Sequence, residues 1–118
     1  MKTASKRAVG VVPPIVTDGY VYFSLDLKND HVKIGYSRNP WRRARALQAQ
    51  SGGHKVVLLA QARGSWATEK RLHEVFGSDR VSGEWFLRSP ALDALILFVK
   101  EFPSVRSDLA RRVLERVA

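Results

Sequence analysis

One glutamate and one histidine in this sequence have the spacing that shared proton or metal chemistry needs. Glu69 and His73 lie four residues apart, so on a helix they share one face. A carboxylate and an imidazole on one face can hold a metal ion together or exchange a proton. The ordinary alternative is a half-buried histidine that makes a structural hydrogen bond. We therefore expect His73 to support whatever site Glu69 forms.

A second group of side chains is basic and lies in two segments of the chain. The chain carries 20 Lys and Arg against 11 Asp and Glu, a formal net charge of +9, which suits a polyanionic partner. Nucleic acid is the favoured partner, while an anionic membrane surface and plain solubility are the alternatives. The residues that we expect to bind nucleic acid are Arg38, Arg42, Arg45, Lys70 and Arg71.

These basic residues predict a measurable salt dependence. If about five of them neutralise phosphates, log affinity falls with log salt at a slope of roughly −4 to −5 on duplex DNA. The alternative for such a charge run is a solvated helix face that contacts nothing.

Composition excludes several other kinds of site. The chain contains no cysteine, so disulfides, thiolate zinc sites and catalytic thiols are ruled out. The sequence has no signal peptide and no apolar run of about 18 residues, the length that a membrane span needs. We therefore expect a soluble, cytoplasmic protein with no membrane partner. Its 118 residues suffice for one domain with a buried core.

Local patterns predict the elements that must position these residues. Residues 19–25 and 31–36 are rich in β-branched and aromatic side chains on either side of a polar turn, which predicts a β-hairpin. Asn39 is typical of a helix N-cap, and Ser65 of a second one. Between those helices, residues 55–62 form a short apolar run that predicts a buried third strand.

The remainder of the chain is predicted to be mostly helical. Glu84 to Phe86 form a compact aromatic insertion whose conformation no pattern predicts, and an apolar helix begins at Pro90. The result is an α/β (α+β) domain with a small three-stranded, mainly antiparallel sheet flanked by helices, in the order β-β-α-β-α-α-α. The predicted parts are a basic extended leader at 1–17, the domain at 18–102, and a C-terminal amphipathic helix packed on it at 103–118.

An ordered set of short motifs connects these elements to a known superfamily. In chain order the set is Tyr22-Phe23, Lys33 to Ser37, Arg43, Leu47-Gln48, Glu69, Leu72-His73, Phe76 and Gly83 to Phe86. Over about residues 19–88 it resembles the GIY-YIG nuclease superfamily, and especially a branch associated with phages and bacteria. Each fragment is weak alone, whereas their order is specific.

The resemblance implies a metal-dependent endonuclease that hydrolyses phosphodiester bonds in DNA, with RNA left open as a second substrate. Tyr22, Arg43 and Glu69 match the tyrosine, arginine and glutamate of that superfamily. Glu69 would hold a magnesium or manganese ion, Arg43 would stabilise charge on the phosphoryl group, and Tyr22 would orient or activate the attacking water. Because one such site cuts one strand, cleavage of both strands would require two copies, so a homodimer is among the expected partners.

Lys33 stands where that superfamily carries its second tyrosine. A phenol with a pKa near about 10 is a poor base at neutral pH, so we expect Lys33 and Arg43 to lower the pKa of Tyr22. The predicted catalytic residues are therefore Tyr22, Lys33, Arg43 and His73, with Glu69 as the metal ligand.

Two other functional classes compete with this prediction. A noncatalytic nucleic-acid-binding module of the same fold would keep the basic surface without the chemistry. An interaction protein would use the apolar third helix and the amphipathic tail to dock a partner. Metal-dependent DNA cleavage separates the first alternative from the nuclease, and weak, salt-insensitive DNA binding would favour the second.

Overall fold

A five-stranded antiparallel sheet forms the centre of the computed structural model, which describes residues 19–101. The strands lie in the spatial order β3-β1-β2-β5-β4. Their bounds are Gly19–Asp26 for β1, His31–Ser37 for β2, Val56–Gly64 for β3, Arg80–Ser82 for β4 and Trp85–Leu87 for β5. The helices are Pro40–Gln50 (α1), Trp66–Val75 (α2) and Pro90–Glu101 (α3), and a 3-10 turn covers Gly77–Asp79.

The predicted three-stranded sheet in the order β-β-α-β-α-α-α was wrong, although the general α+β class fits. The observed order over the described residues is β-β-α-β-α-β-β-α. The two missed strands, β4 and β5, have three residues each, which is too short for an alternating pattern to be recognised. They form because β5 pairs with the edge of β2, so a long-range contact decides their conformation. The predicted leader and the C-terminal helix lie outside the described residues.

The first hairpin and the first two helices follow local chemistry. Asp26 accepts hydrogen bonds from the backbone of Lys28 and the side chain of Asn29, both at 2.9 Å, which closes the turn between β1 and β2. Asn39 caps α1 by accepting from the backbone of Arg42 at 3.1 Å. Ser65 caps α2 in the same way. These caps place both helix starts directly after the strands that precede them.

The register of β1 and β2 separates the sheet into two unlike faces. Residues directly opposite one another on antiparallel strands share a face. Phe23 lies opposite Ile34, and this face packs against α2 and α3 as the main apolar core. Tyr22 lies opposite Gly35 on the other face, which α1 covers only in part. We call these the core face and the α1 face.

None of the helices between residues 19 and 101 has the length and apolar character to cross a membrane.

Candidate functional site

The phenol ring of Tyr22 lies directly across the backbone of Gly35 on the α1 face. Tyr22 is only 1% exposed, and a Cβ added to Gly35 would lie 2.4 Å from its Cζ atom and 2.5 Å from its hydroxyl oxygen. No side chain fits in that space, so glycine is required at position 35 for room and not for a special backbone conformation. The hydroxyl of Tyr22 is thereby held over β2, beside the free part of its edge.

That edge is shared between β5 and α2. The backbone N–H of Ile34 donates to the carbonyl of Glu84 at 3.0 Å, where the pairing with β5 ends. The carbonyl of Ile34 instead accepts a hydrogen bond from Nε2 of His73 at 2.8 Å. Because His73 is on α2, this bond fixes the helix against the strand next to Gly35.

Glu69 lies one helical turn before His73 and enters the site from the same helix. It is 3% exposed although it is a carboxylate. Burial raises its pKa above the ordinary value, and Glu84 adds to that rise, while the lysines Lys70 and Lys33 act in the opposite direction. Glu69 therefore lies within electrostatic range of a second carboxylate and of several cationic or imidazole groups.

Arg43 reaches the same place from the exposed first turn of α1. Its guanidinium lies near the hydroxyl of Tyr22 and acts to lower the pKa of that phenol. Burial nevertheless raises the pKa of Tyr22 above 10.0, because the favourable effect of Arg43 is smaller and Glu84 and Glu69 oppose it. The expected lowering of this pKa is thus not observed, and the phenol keeps its proton at neutral pH.

Lys33 pairs with a carboxylate and is not among the groups that shift the pKa of Tyr22. Its Nζ atom lies 3.1 Å from Oε1 of Glu84 and 5.7 Å from the centre of the Trp85 ring. Lys33 is 8% exposed, whereas the side chain of Glu84 is 38% exposed, so water still reaches the carboxylate side of this ion pair. The meeting of Glu84 with Lys33 depends on the pairing of β2 with β5, which no local pattern in the sequence predicts.

Both ring nitrogens of His73 have partners. Nε2 donates to the carbonyl of Ile34, and Nδ1 accepts from Arg80 at 3.2 Å, which corresponds to a neutral imidazole with its proton on Nε2. The ring also contacts Phe86, at 5.1 Å between ring centres. His73 is therefore built into the wall of the site, where it orients α2 and with it Glu69.

The five predicted nucleic-acid-binding residues do not all lie at the site. Arg38 and Arg42 line an open pocket of about 380 Å³ next to Arg43, and Arg45 is exposed on α1 outside that pocket's lining. Lys70 lies 5.0 Å from the ring centre of the exposed Trp66, and Arg71 pairs with Glu74 at 3.6 Å on the outer side of α2.

Arg63 is a basic residue that the sequence reading missed. Its guanidinium carbon lies 5.8 Å from the centre of the Tyr20 ring. Arg63 is opposite Tyr20 in the pairing of β1 with β3, and Tyr20 is opposite Ser37 in the pairing of β1 with β2, so all three residues lie on the α1 face. Strand register, which no local pattern predicts, would have been needed to find it.

Within residues 19–101 no group of three or more His, Cys, Asp or Glu side chains could hold a metal ion together. The carboxylates that could bind a metal ion at this site are those of Glu69 and Glu84, and the charge of Glu84 raises the pKa of Glu69. Magnesium is commonly bound through one or two carboxylates, with water and substrate phosphate as the other ligands, so this sparse donor set fits it. The same set does not fit an ion that needs several protein ligands.

Comparison with known proteins corrects the assignment made from motifs. No curated protein and no solved structure matches this chain. The family model that matches is the T5orf172 domain, over residues 19–114, and no GIY-YIG match was found, so the assignment to the GIY-YIG superfamily was wrong. Several positions of the motif set, such as Leu72, Phe76 and Phe86, are buried core residues, which packing explains without any shared chemistry. The T5orf172 family is nuclease-like or DNA-binding, which agrees with a nucleic-acid-related role. This chain belongs to the T5orf172 domain family.

Proposed function

We propose that this chain is a metal-dependent endonuclease that hydrolyses phosphodiester bonds in DNA. The observation that carries the proposal is the meeting of three side chains beside Gly35. Tyr22 comes from β1, Arg43 from α1 and Glu69 from α2, and both Arg43 and Glu69 affect the ionisation of the Tyr22 phenol. Packing alone does not require an arginine, a carboxylate and a tyrosine hydroxyl to converge at a sheet edge, whereas phosphodiester hydrolysis can use all three to stabilise charge and to orient water.

The protonation states assign different work to the three residues. Arg43 is permanently charged and exposed, so its planar fork can bind two phosphoryl oxygens as negative charge develops. Tyr22 keeps its proton, so its hydroxyl orients the attacking water by hydrogen bonding rather than removing a proton from it. Lys33 supplies positive charge at the strand edge and is held in place by Glu84.

Glu69 is the residue that would hold magnesium or manganese, with Glu84 next to it. When bound, such an ion supplies positive charge at the phosphate and a shell of ordered water. A cation would also relieve the repulsion between the two carboxylates, which helps to raise the pKa of Glu69. His73 serves as a positioning residue, because its hydrogen bond to Ile34 fixes α2 and therefore the place of Glu69.

The test is nicking of supercoiled plasmid in the presence of magnesium by the wild type, Glu69→Gln and Glu74→Gln. Glu74 is on the same helix but its side chain is 71% exposed, so its variant is a matched control for the loss of one carboxylate. We expect the wild type and Glu74→Gln to nick, and Glu69→Gln to lose about 100-fold or more of the rate. Equal activity in both variants, with a contaminating nuclease excluded by purification, would reject Glu69 as the metal ligand.

A noncatalytic nucleic-acid-binding module is the second candidate, and one observation favours it. The phenol of Tyr22 is protonated and Lys33 is already paired with Glu84, so no strong base is present among these groups. Under this alternative the wild type binds DNA with a clear salt dependence but does not nick plasmid with any divalent ion. If the folded protein binds DNA but does not cleave it, this result would support the binding module over the nuclease.

A further inference from the structure

An open pocket of about 380 Å³ adjoins the candidate site at the start of α1. This volume is at the lower end of the range of about 300–1,000 Å³ that small-molecule sites occupy. Three of the lining residues are arginines and none is acidic. The lining residues are Ser37, Arg38, Asn39, Arg42, Arg43 and Ala46.

The positions of the arginines follow from the helix period and from the cap. Arg38, Arg42 and Ala46 are spaced four apart, so they follow one side of α1 and the turn before it. Asn39 accepts a hydrogen bond from the backbone of Arg42 at 3.1 Å, and Ser37 accepts from the backbone of Asn39 at 3.0 Å. These bonds hold the backbone that carries the charged side chains, so the pocket wall is formed before any ligand binds.

Arg43 is shared between this pocket and the candidate site. It lines the pocket, and its guanidinium also lies near the hydroxyl of Tyr22. A group bound in the pocket is therefore a direct neighbour of a group bound beside Tyr22. In a nucleic-acid strand, the direct neighbour of one phosphodiester is the next phosphodiester.

We propose that this pocket binds the backbone phosphate next to the scissile one, with Arg42 as its main ligand. The inference rests on the proposed function, because it is that function which places the scissile phosphate beside Tyr22. A guanidinium binds phosphate oxygens through two parallel hydrogen bonds, which suits a pocket lined by arginine and not by lysine. The substrate class that follows is a polynucleotide strand with at least two consecutive phosphodiesters.

The experiment compares two substrates and two variants. The substrates are an oligodeoxynucleotide and bis(p-nitrophenyl) phosphate, which contains a single phosphodiester. The variants are Arg42→Gln and Lys28→Gln, where Lys28 is an exposed lysine in the turn between β1 and β2, at the other end of the sheet. Both variants remove one positive charge, so any general effect of net charge is common to them.

We expect Arg42→Gln to reduce kcat/KM on both substrates or on the oligodeoxynucleotide alone, with a loss on the oligodeoxynucleotide that is about 10-fold or more larger than the loss on the small diester. A difference of this size corresponds to the free energy of one hydrogen bond to a charged group. Lys28→Gln should behave as the wild type on both substrates. Equal losses on the two substrates for Arg42→Gln would overturn the proposal, since the arginine would then act on the scissile phosphate itself.

A binding measurement separates failure of this inference from failure of the proposed function. Fluorescence anisotropy with a labelled oligodeoxynucleotide in EDTA needs no catalysis. A selective loss of affinity in Arg42→Gln, together with a complete absence of cleavage by the wild type, keeps the pocket as a backbone-phosphate site and rejects the nuclease. Equal affinity of Arg42→Gln, Lys28→Gln and the wild type rejects the pocket whether or not DNA is cleaved.

Discussion

Each face of the sheet has a tyrosine ring packed over a glycine, but the surroundings of this pair differ between the two faces. On the α1 face the ring of Tyr22 covers Gly35, and on the core face the ring of Tyr36 covers Gly19. The core face is otherwise a continuous apolar cluster closed by α2 and α3. The α1 face buries few apolar side chains and adds polar ones, including Lys33 at 8% exposure.

This difference indicates what each face contributes. The core face stabilises the fold by removing apolar surface from water. This effect is non-directional, so it does not require a specific partner for each side chain. The α1 face instead holds the buried ammonium group of Lys33, which is stable there because Glu84 is its partner. Stability thus comes mainly from the core face, whereas the candidate site lies on the α1 face and at the edge of β2, where Glu69 and His73 reach it from α2. Variants in the core and variants at the site should therefore differ in kind.

The largest effect on stability is expected on the core face. Leu92 on α3 is 0% exposed, so Leu92→Ala should lower the free energy of unfolding by about 2–5 kcal/mol through lost burial and a residual cavity. Urea unfolding followed by circular dichroism measures it. DNA affinity per folded molecule should stay unchanged; a selective loss of affinity would mean that the two faces are not independent.

A smaller loss of stability, but a severe loss of activity, is expected for Gly35→Ala. The added methyl group would overlap the buried ring of Tyr22, and overpacking costs roughly 1–3 kcal/mol. Displacement of the hydroxyl should reduce plasmid nicking by about 100-fold or more. The matched control is Gly19→Ala, where the half-buried Tyr36 can move with less cost. If Gly19→Ala impaired nicking as much as Gly35→Ala, the Tyr36–Gly19 and Tyr22–Gly35 pairs would not have separate roles.

The pH dependence of stability should show the cost of burying Glu69. Its pKa is raised in the folded state above the ordinary 4.5, so the folded protein holds this proton more strongly than the unfolded chain. The free energy of unfolding of the wild type should therefore fall, relative to Glu69→Gln, as pH rises from 4.5 through the folded pKa, and level off above it. Urea midpoints of both proteins over this range measure the difference. A difference that grows in the opposite direction would show that the ionised carboxylate is stabilised.

The smallest effect is expected for the hydrogen bond between Arg80 and Nδ1 of His73. Arg80 is exposed, and Arg80→Gln removes the donor to Nδ1 of His73, where water can replace it. We expect a stability loss of about 1 kcal/mol or less and only a modest decrease in nicking. His73→Gln should reduce activity more, because it removes the bond to Ile34 that fixes α2. A larger activity loss in Arg80→Gln than in His73→Gln would contradict this order.

Local chemistry predicted those parts of the fold that depend on neighbours in the chain. The hairpin, the Asn39 cap and the Ser65 cap were all read correctly, because the turn and cap hydrogen bonds join residues two or three apart. The β4–β5 hairpin was missed because its pairing with β2 joins residues that are more than 50 positions apart, such as Lys33 and Trp85.

For the candidate site, the sequence by itself determined which chemical groups are available: one tyrosine hydroxyl, a series of arginines and a glutamate on a capped helix. Only the tertiary structure decided their state. It buried the phenol so that its pKa rises in spite of Arg43, and it paired Lys33 with Glu84. It also gave Arg42, but not Arg45, a place in the pocket lining. The physical reason is that burial and long-range charge pairing depend on the whole set of packed neighbours, whereas turns and caps depend on a few adjacent residues.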